Sequence, residues 1–227
     1  MQAVHFVYRF VFSDGRKLEH KVSLDAATGR IVDVPVRPTE KWTVLDYKKC
    51  SHCPLKSKEH PHCPVAKNLS AVAHDFKSEK SHEQVTVEVI SDERTYSKTL
   101  ALQDGLFGLF GLIMATSDCP HISFLRPMAR FHLPFSSLEE TTVRAVSFYL
   151  LRQTFVAKNG GVGDFSLAEF ARLYENLSVV NLGIVDRIRS IALADADLNS
   201  VVGLDAFAMI LSKNIKSQLD GFESLFK

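Results

Sequence analysis

The sequence predicts an α+β protein, with an N-terminal antiparallel β-sheet carrying a Cys-rich metal loop and a C-terminal helical bundle. Three observations carry the prediction. Residues 3–12 and 17–24 alternate apolar and polar on either side of Asp14-Gly15, a hairpin signature. Residues 85–102 repeat that alternation around Ser91-Asp-Glu-Arg94. Beyond Gln103 the alternation stops and apolar residues recur at helical spacing.

Each element follows in order. Val4, Phe6, Tyr8, Phe10 and Phe12 share one face of the first strand, and Leu18, His20, Val22 and Leu24 one face of the second. Ala26–Gly29 turns the chain into a short third strand, Ile31–Val36, and Trp42–Leu45 is a fourth candidate. Val65, Leu69, Val72 and Phe76 are spaced for a helix inside an otherwise aperiodic segment. Leu106–Thr116 reads as a very apolar helix, with Gly108 and Gly111 allowing close packing, and Ile122–Phe131 as a short one. Ser136-x-x-Glu139 is a capping-box pattern opening a long helix to Lys158. Ser166-x-x-Glu169 is a second, opening a pattern that runs to Ala194. Asp195–Asn199 breaks it, and a last helix starts at Ser200 and runs to the end. The expected division is a β part over residues 1–102, with a Cys-rich insertion at 46–82, and a helical bundle over 103–227, packed as one unit.

Composition narrows the classes. Hydrophobic residues make up 46% and charged residues 23% of 227, ordinary for a globular chain large enough to fold around its own core. A net charge of +1 gives no whole-molecule case for nucleic acid. Residues 41–82 do hold eight Lys against four acids, a local basic patch read as a solvated loop. The longest apolar run, Leu106–Ala115, is half of what a membrane span needs, and the N-terminus alternates rather than forming a leader. A soluble cytoplasmic protein is the expectation. In a reducing compartment, clustered thiols are metal ligands or redox groups before they are disulfides.

The cysteines are the most informative feature. There are four: Cys50, Cys53, Cys63 and Cys119. Cys50-x-x-Cys53 has the spacing that lets two thiolates grip one ion from a tight turn. Cys53, Cys63 and Cys119 each precede a proline, whose fixed φ shapes the turn presenting the sulfur. The leading expectation is a closed Cys₄ structural Zn²⁺ site that staples the β part to the helices. An iron–sulfur cluster on the same four residues is the first alternative, since Cys-Pro occurs in cluster-binding runs. His60 or His62 could replace Cys119 as the fourth ligand, and His121 is a further candidate. Against any metal stands the reading of unmetallated cysteines, including a redox Cys-x-x-Cys; it is disfavoured because none lies in an apolar periodic run where a core cysteine belongs.

A second cluster follows Cys119. Arg126 and Arg130 are spaced to share a helix face, and with His132 they form a candidate anion site. His121 joins them if the site is an enzyme's, which requires all four to converge on one pocket. The bland reading pairs the arginines with Glu139 or Glu140 and has the histidines cap helix ends. Other patterns fail. Asp195-Ala-Asp-Leu-Asn199 lacks the Gly and Glu of a calcium loop, and Gly160-Gly-Val-Gly163 lacks the Lys of a phosphate loop.

Cys50-x-x-Cys53-Pro54, His60-Pro-His-Cys-Pro64, Arg94-Thr-Tyr-Ser97, Cys119-Pro120 and Arg126-Pro-Met-Ala-Arg-Phe-His-Leu-Pro134 together resemble a bacterial family of unknown function, over nearly the whole length. That resemblance implies a single co-evolved unit and no chemistry. The expected function is a zinc-stapled binding or interaction protein rather than an enzyme. Its partner would be a protein or small molecule, with a homodimer through the long helices as one form.

Overall fold

In the computed structural model, which describes residues 2–37, 40–213 and 215–227, the apolar alternation becomes one five-stranded antiparallel sheet. Its strands are β1 (Ala3–Phe12), β2 (Lys17–Asp25), β3 (Ile31–Asp33), β4 (Gln84–Ser91) and β5 (Thr95–Ala101), in spatial order β3-β2-β1-β4-β5. The two hairpins lie side by side because β1 also pairs with β4, with Tyr8 opposite Val89 and Phe10 opposite Val87. Gly15 supplies the φ of 88° that closes the first hairpin. Every second β1 residue from Val4 to Phe12 is buried, so one face is core and the other carries Arg9, bonded to Glu19 and Glu88 on the flanking strands.

The helices are α1 (Pro64–Phe76), α2 (Leu102–Thr116), α3 (Arg126–Arg130), α4 (Leu138–Lys158), α5 (Ala168–Ile188), α6 (Ala196–Lys213) and α7 (Ile215–Asp220). α2 lies against the inner face of the sheet at unusually short range. A Cβ on Gly105 would stand 2.8 Å from Val87, and one on Gly108 2.8 Å from the Tyr8 hydroxyl. Gly111 faces Leu204 of α6 instead. α5 packs along α6, and α6 against α2. One continuous apolar cluster contains Phe10 and Val87 of the sheet together with Phe76, Phe110, Ile184 and Val201 of the helices.

Several local expectations are corrected. Residues 42–45 form no strand: Lys41–Thr43 is a 3-10 turn and Val44 makes a lone bridge to His62. Burial of Trp42 and Leu45 against the helices takes the segment away from any sheet edge. β3 ends at Asp33, ahead of Pro35, which has no N–H for the ladder. The Ile122–Phe131 segment is a 3-10 turn, Ser123–Leu125, followed by α3. The first capping box sits one residue later than expected, on Ser137 and Glu140, while Ser136 turns to Thr141. At α5, Ser166 caps nothing, because Leu167 turns left-handed with φ 65°. Asp164 does that work, accepting from the N–H groups of Ser166 and Glu169. α5 ends at Ile188 rather than near Ala194, and α6 starts four residues before Ser200. Continuity of the last helix through position 214 lies outside the described residues.

Candidate metal centre

The four cysteines come from three separated segments. Cys50 and Cys53 belong to a tight turn, closed by the Cys53 N–H donating to the Cys50 carbonyl at 3.1 Å. Cys63 is the N-cap residue of α1, with Pro64 at its first position, and its N–H is anchored on the Thr43 carbonyl at 2.8 Å. Cys119 lies in the connection between α2 and α3, its carbonyl accepting from the Ile122 N–H. Its thiol receives the backbone N–H of His121. None of the four is in a disulfide; Cys119 is buried and the others half-buried.

The thiols are electrostatic neighbours. Burial pushes the Cys119 thiol up to about 12, and charge on Cys63, Cys50 or Cys53 would push it further. Cys50 is pushed up to about 11, by burial first and then by Cys63 and Cys53, with Arg187 opposing. Among the described residues, however, no three His, Cys, Asp or Glu side chains are arranged to hold a metal ion. The two observations differ in reach: charge acts across several ångströms, whereas ligation needs sulfurs about 2.3 Å from one ion.

Three neighbours define the floor of this cluster, and sequence reasoning singled out none of them. A Cβ on Gly183 of α5 would stand 2.6 Å from Cys50 Sγ, so the sulfur rests on bare helix backbone. Arg187, one turn further along α5, is 1% exposed. Its guanidinium donates to the carbonyls of Trp42, Val44 and Leu45 at 2.6–2.8 Å, clamping the loop ahead of Cys50 to α5. No carboxylate pairs with it among the described residues, and its Nε has no hydrogen-bond partner. His52, between Cys50 and Cys53, stacks flat on His121, ring centroids 3.9 Å apart. His121 Nε2 donates to the His52 carbonyl and His52 Nε2 to the Asn176 carbonyl. The signals in the sequence were a glycine inside a helical run, costing about 1 kcal/mol against Ala without a reason, and an arginine on an apolar stripe.

The alternative ligands stand apart from this arrangement in different degrees. His60 is exposed. His62 is half-buried and its Nδ1 is engaged by the Thr43 hydroxyl at 2.8 Å. His121 is committed through Nε2, leaving Nδ1.

The Arg/His cluster is divided. Arg126 bonds the Ser117 carbonyl and Asp118, which also pairs with Arg30. His121 sits with His52. Arg130 and His132 turn instead to a pocket at the end of the sheet, where Arg130 Nε donates to the Ala26 carbonyl and His132 Nε2 shares a hydrogen bond with the Tyr8 hydroxyl at 2.6 Å. Burial pushes His132 down to about 3, so its ring is neutral. Sequence reasoning expected Glu139 or Glu140 as the arginines' partners; Asp118 and main-chain carbonyls hold those places.

Residues 6–227 match the model of a domain of unknown function, DUF6901. The chain belongs to this family. No curated protein and no solved structure matches it. In this DUF6901 chain the matched span includes all four cysteines, the clamp at Arg187 and, Val4 apart, the described lining of the pocket at the sheet end. Among its described residues no helix is long and apolar enough to cross a membrane.

Proposed function

We propose that this protein is a zinc-stapled binding protein of the cytoplasm, in which Cys50, Cys53, Cys63 and Cys119 hold one structural Zn²⁺. The observation that carries the reading is Arg187. A buried guanidinium without a carboxylate is costly, and a nearby anion offsets that cost. Four thiolates around Zn²⁺ carry a net double negative charge beside it. As neutral thiols the same residues leave it uncompensated. Metal binding also resolves the crowding of four sulfurs whose deprotonation is otherwise opposed by burial and by one another. Four protein ligands leave no open position, which favours structure over catalysis. The staple would join the loop of residues 42–63 and the start of α1 to the α2–α3 connection. The exposed Val143, Leu151 and Phe155 of α4 support a partner along the long helices, a second copy of the chain first of all.

Metal content by mass spectrometry, with a visible spectrum, tests this on protein purified without chelators or a metal column. About one zinc per chain and no colour is the expected result, with the zinc lost in Cys53→Ser and Cys119→Ser. Iron with inorganic sulfide would replace zinc by a cluster on the same residues. Absence of either metal under anaerobic handling would sink the reading.

A further inference from the structure

At the Ser91–Arg94 end of the sheet a pocket of about 430 Å³ opens between strands and helices. Val4, Phe6 and Val89 form an apolar floor, and residues 131–134 form one wall. Three arginines reach it from three different elements: Arg94 from the β4–β5 turn, Arg130 from the end of α3 and Arg144 from α4. Among the described residues the only acid lining it is Glu93. The arginine ion pairs among the described residues are all made elsewhere.

Two of the three guanidiniums are already positioned. Arg144 donates to the carbonyls of Met128 and Phe131 at 3.1 and 2.7 Å. Arg130 donates to the Ala26 carbonyl and lies over the Phe131 ring, 5.3 Å from its centroid. Arg94 is exposed at the mouth, its Nη1 3.5 Å from the Tyr96 hydroxyl. The wall between them is fixed by the Tyr8–His132 bond, and the neutral His132 ring adds no charge of its own.

Solvated surface arginines would have no reason to converge in this way. Like charges repel, and ordering a long side chain costs entropy unless something rewards it. Main-chain carbonyls hold Arg130 and Arg144 in place beforehand, so a ligand need not bear that ordering cost. Guanidinium N–H groups match the oxygen spacing of phosphate and carboxylate. The volume falls within the range of small-molecule sites, and the floor is apolar. We propose that this pocket binds a small organic oxyanion, a phosphate monoester or carboxylate with an apolar body, its charged end between Arg94, Arg130 and Arg144. No cysteine lines the pocket, so the site stands independently of the zinc reading.

Isothermal titration calorimetry on the full chain, with metal content measured in each sample, tests the assignment. The probes are phenyl phosphate and phenylacetate, with inorganic phosphate and phenol beside them. Saturable binding of at least one organic anion is expected, and the one that binds identifies the head group. Inorganic phosphate and phenol should each bind roughly tenfold or more weakly, and so should the organic anion to Arg94→Gln and Arg130→Gln. Arg94 is exposed, so its variant keeps the fold and decides the matter if Arg130→Gln does not. Failure of both organic anions to saturate overturns the proposal. So does undiminished binding to Arg94→Gln, or inorganic phosphate binding as tightly as its phenyl ester.

Discussion

At the residue scale, single contacts around Cys50 decide the outcome of substitutions that propensity alone would misjudge. Gly183→Ala should gain about 1 kcal/mol from helix propensity. The 2.6 Å approach of Cys50 Sγ turns that gain into a net loss of about 1–3 kcal/mol. Urea denaturation reads the sign, and a stabilised variant would show that the sulfur has room to move. Arg187→Gln should cost about 3–5 kcal/mol, because three carbonyls, those of Trp42 and Leu45 in buried bonds, lose their donor together. Arg187→Lys should recover little of it, since an ammonium cannot reproduce a planar fork across three acceptors. Equal stability of the Lys variant and the parent would contradict the clamp. His132 sets a pH response. Its folded value is lowered from 6.5 to about 3, so between those values the unfolded chain binds the extra proton. Its contribution is complete above about 6.5 and is lost as the pH falls toward about 3. His132→Gln should flatten the acid limb of a stability–pH profile; an unchanged limb would assign it to other groups held low in the fold, His20, His52 and Asp164 among them.

At the element scale, the helix starts show where sequence patterns are ambiguous. Ser136-x-x-Glu139 and Ser137-x-x-Glu140 satisfy the same pattern, so spacing cannot choose between them. Phe135, with φ 60°, turns the chain so that Ser137 becomes the cap. Ser137→Ala should cost about 1 kcal/mol and Ser136→Ala less, measured by thermal denaturation. The reverse order would restore the sequence reading. At α5 the cap comes from Asp164, outside the helix and beyond any three-residue motif. Its carboxyl is held well below the usual range, first by the Ser166 hydroxyl, and also by the Tyr149 hydroxyl and Glu169 N–H. The strands and α1 were legible because their apolar period survives to the residue: Val4 to Phe12 alternate in burial as they do in sequence. Trp42–Leu45 was not, since three or four apolar residues fit a strand or a buried turn equally well, and only the Arg187 clamp distinguishes them.

At the scale of the whole molecule, the proposed metal and the core are separable. The apolar cluster takes in Cys119 but runs through sheet and helices far beyond it, so chelation should leave the far-ultraviolet spectrum nearly intact. What should change is the loop carrying Cys50 and Cys53. Chelator-treated protein should be cut by trypsin at Lys56 or Lys58 faster than zinc-loaded protein, and its melting temperature should fall by mass action. Equal cleavage rates would mean that Arg187 and the Val44–His62 bridge hold the loop without metal.

The sequence by itself determined the fold class, both hairpins, the long helices and the identity of the thiols as the feature to explain, because periodicity and cysteine spacing are local properties of the chain. It also proposed Cys119 as a partner for three cysteines more than fifty residues away, and the fold brings them into electrostatic range. Only the tertiary structure decided that Arg126 and His121 part from Arg130 and His132, since i, i+4 spacing fixes a helix face but not what lies opposite it. It alone brought Arg94 and Arg144 to Arg130 and set Arg187 and Gly183 beneath Cys50. Those meetings join residues far apart in the chain, and their positions follow from how the helices cross the sheet.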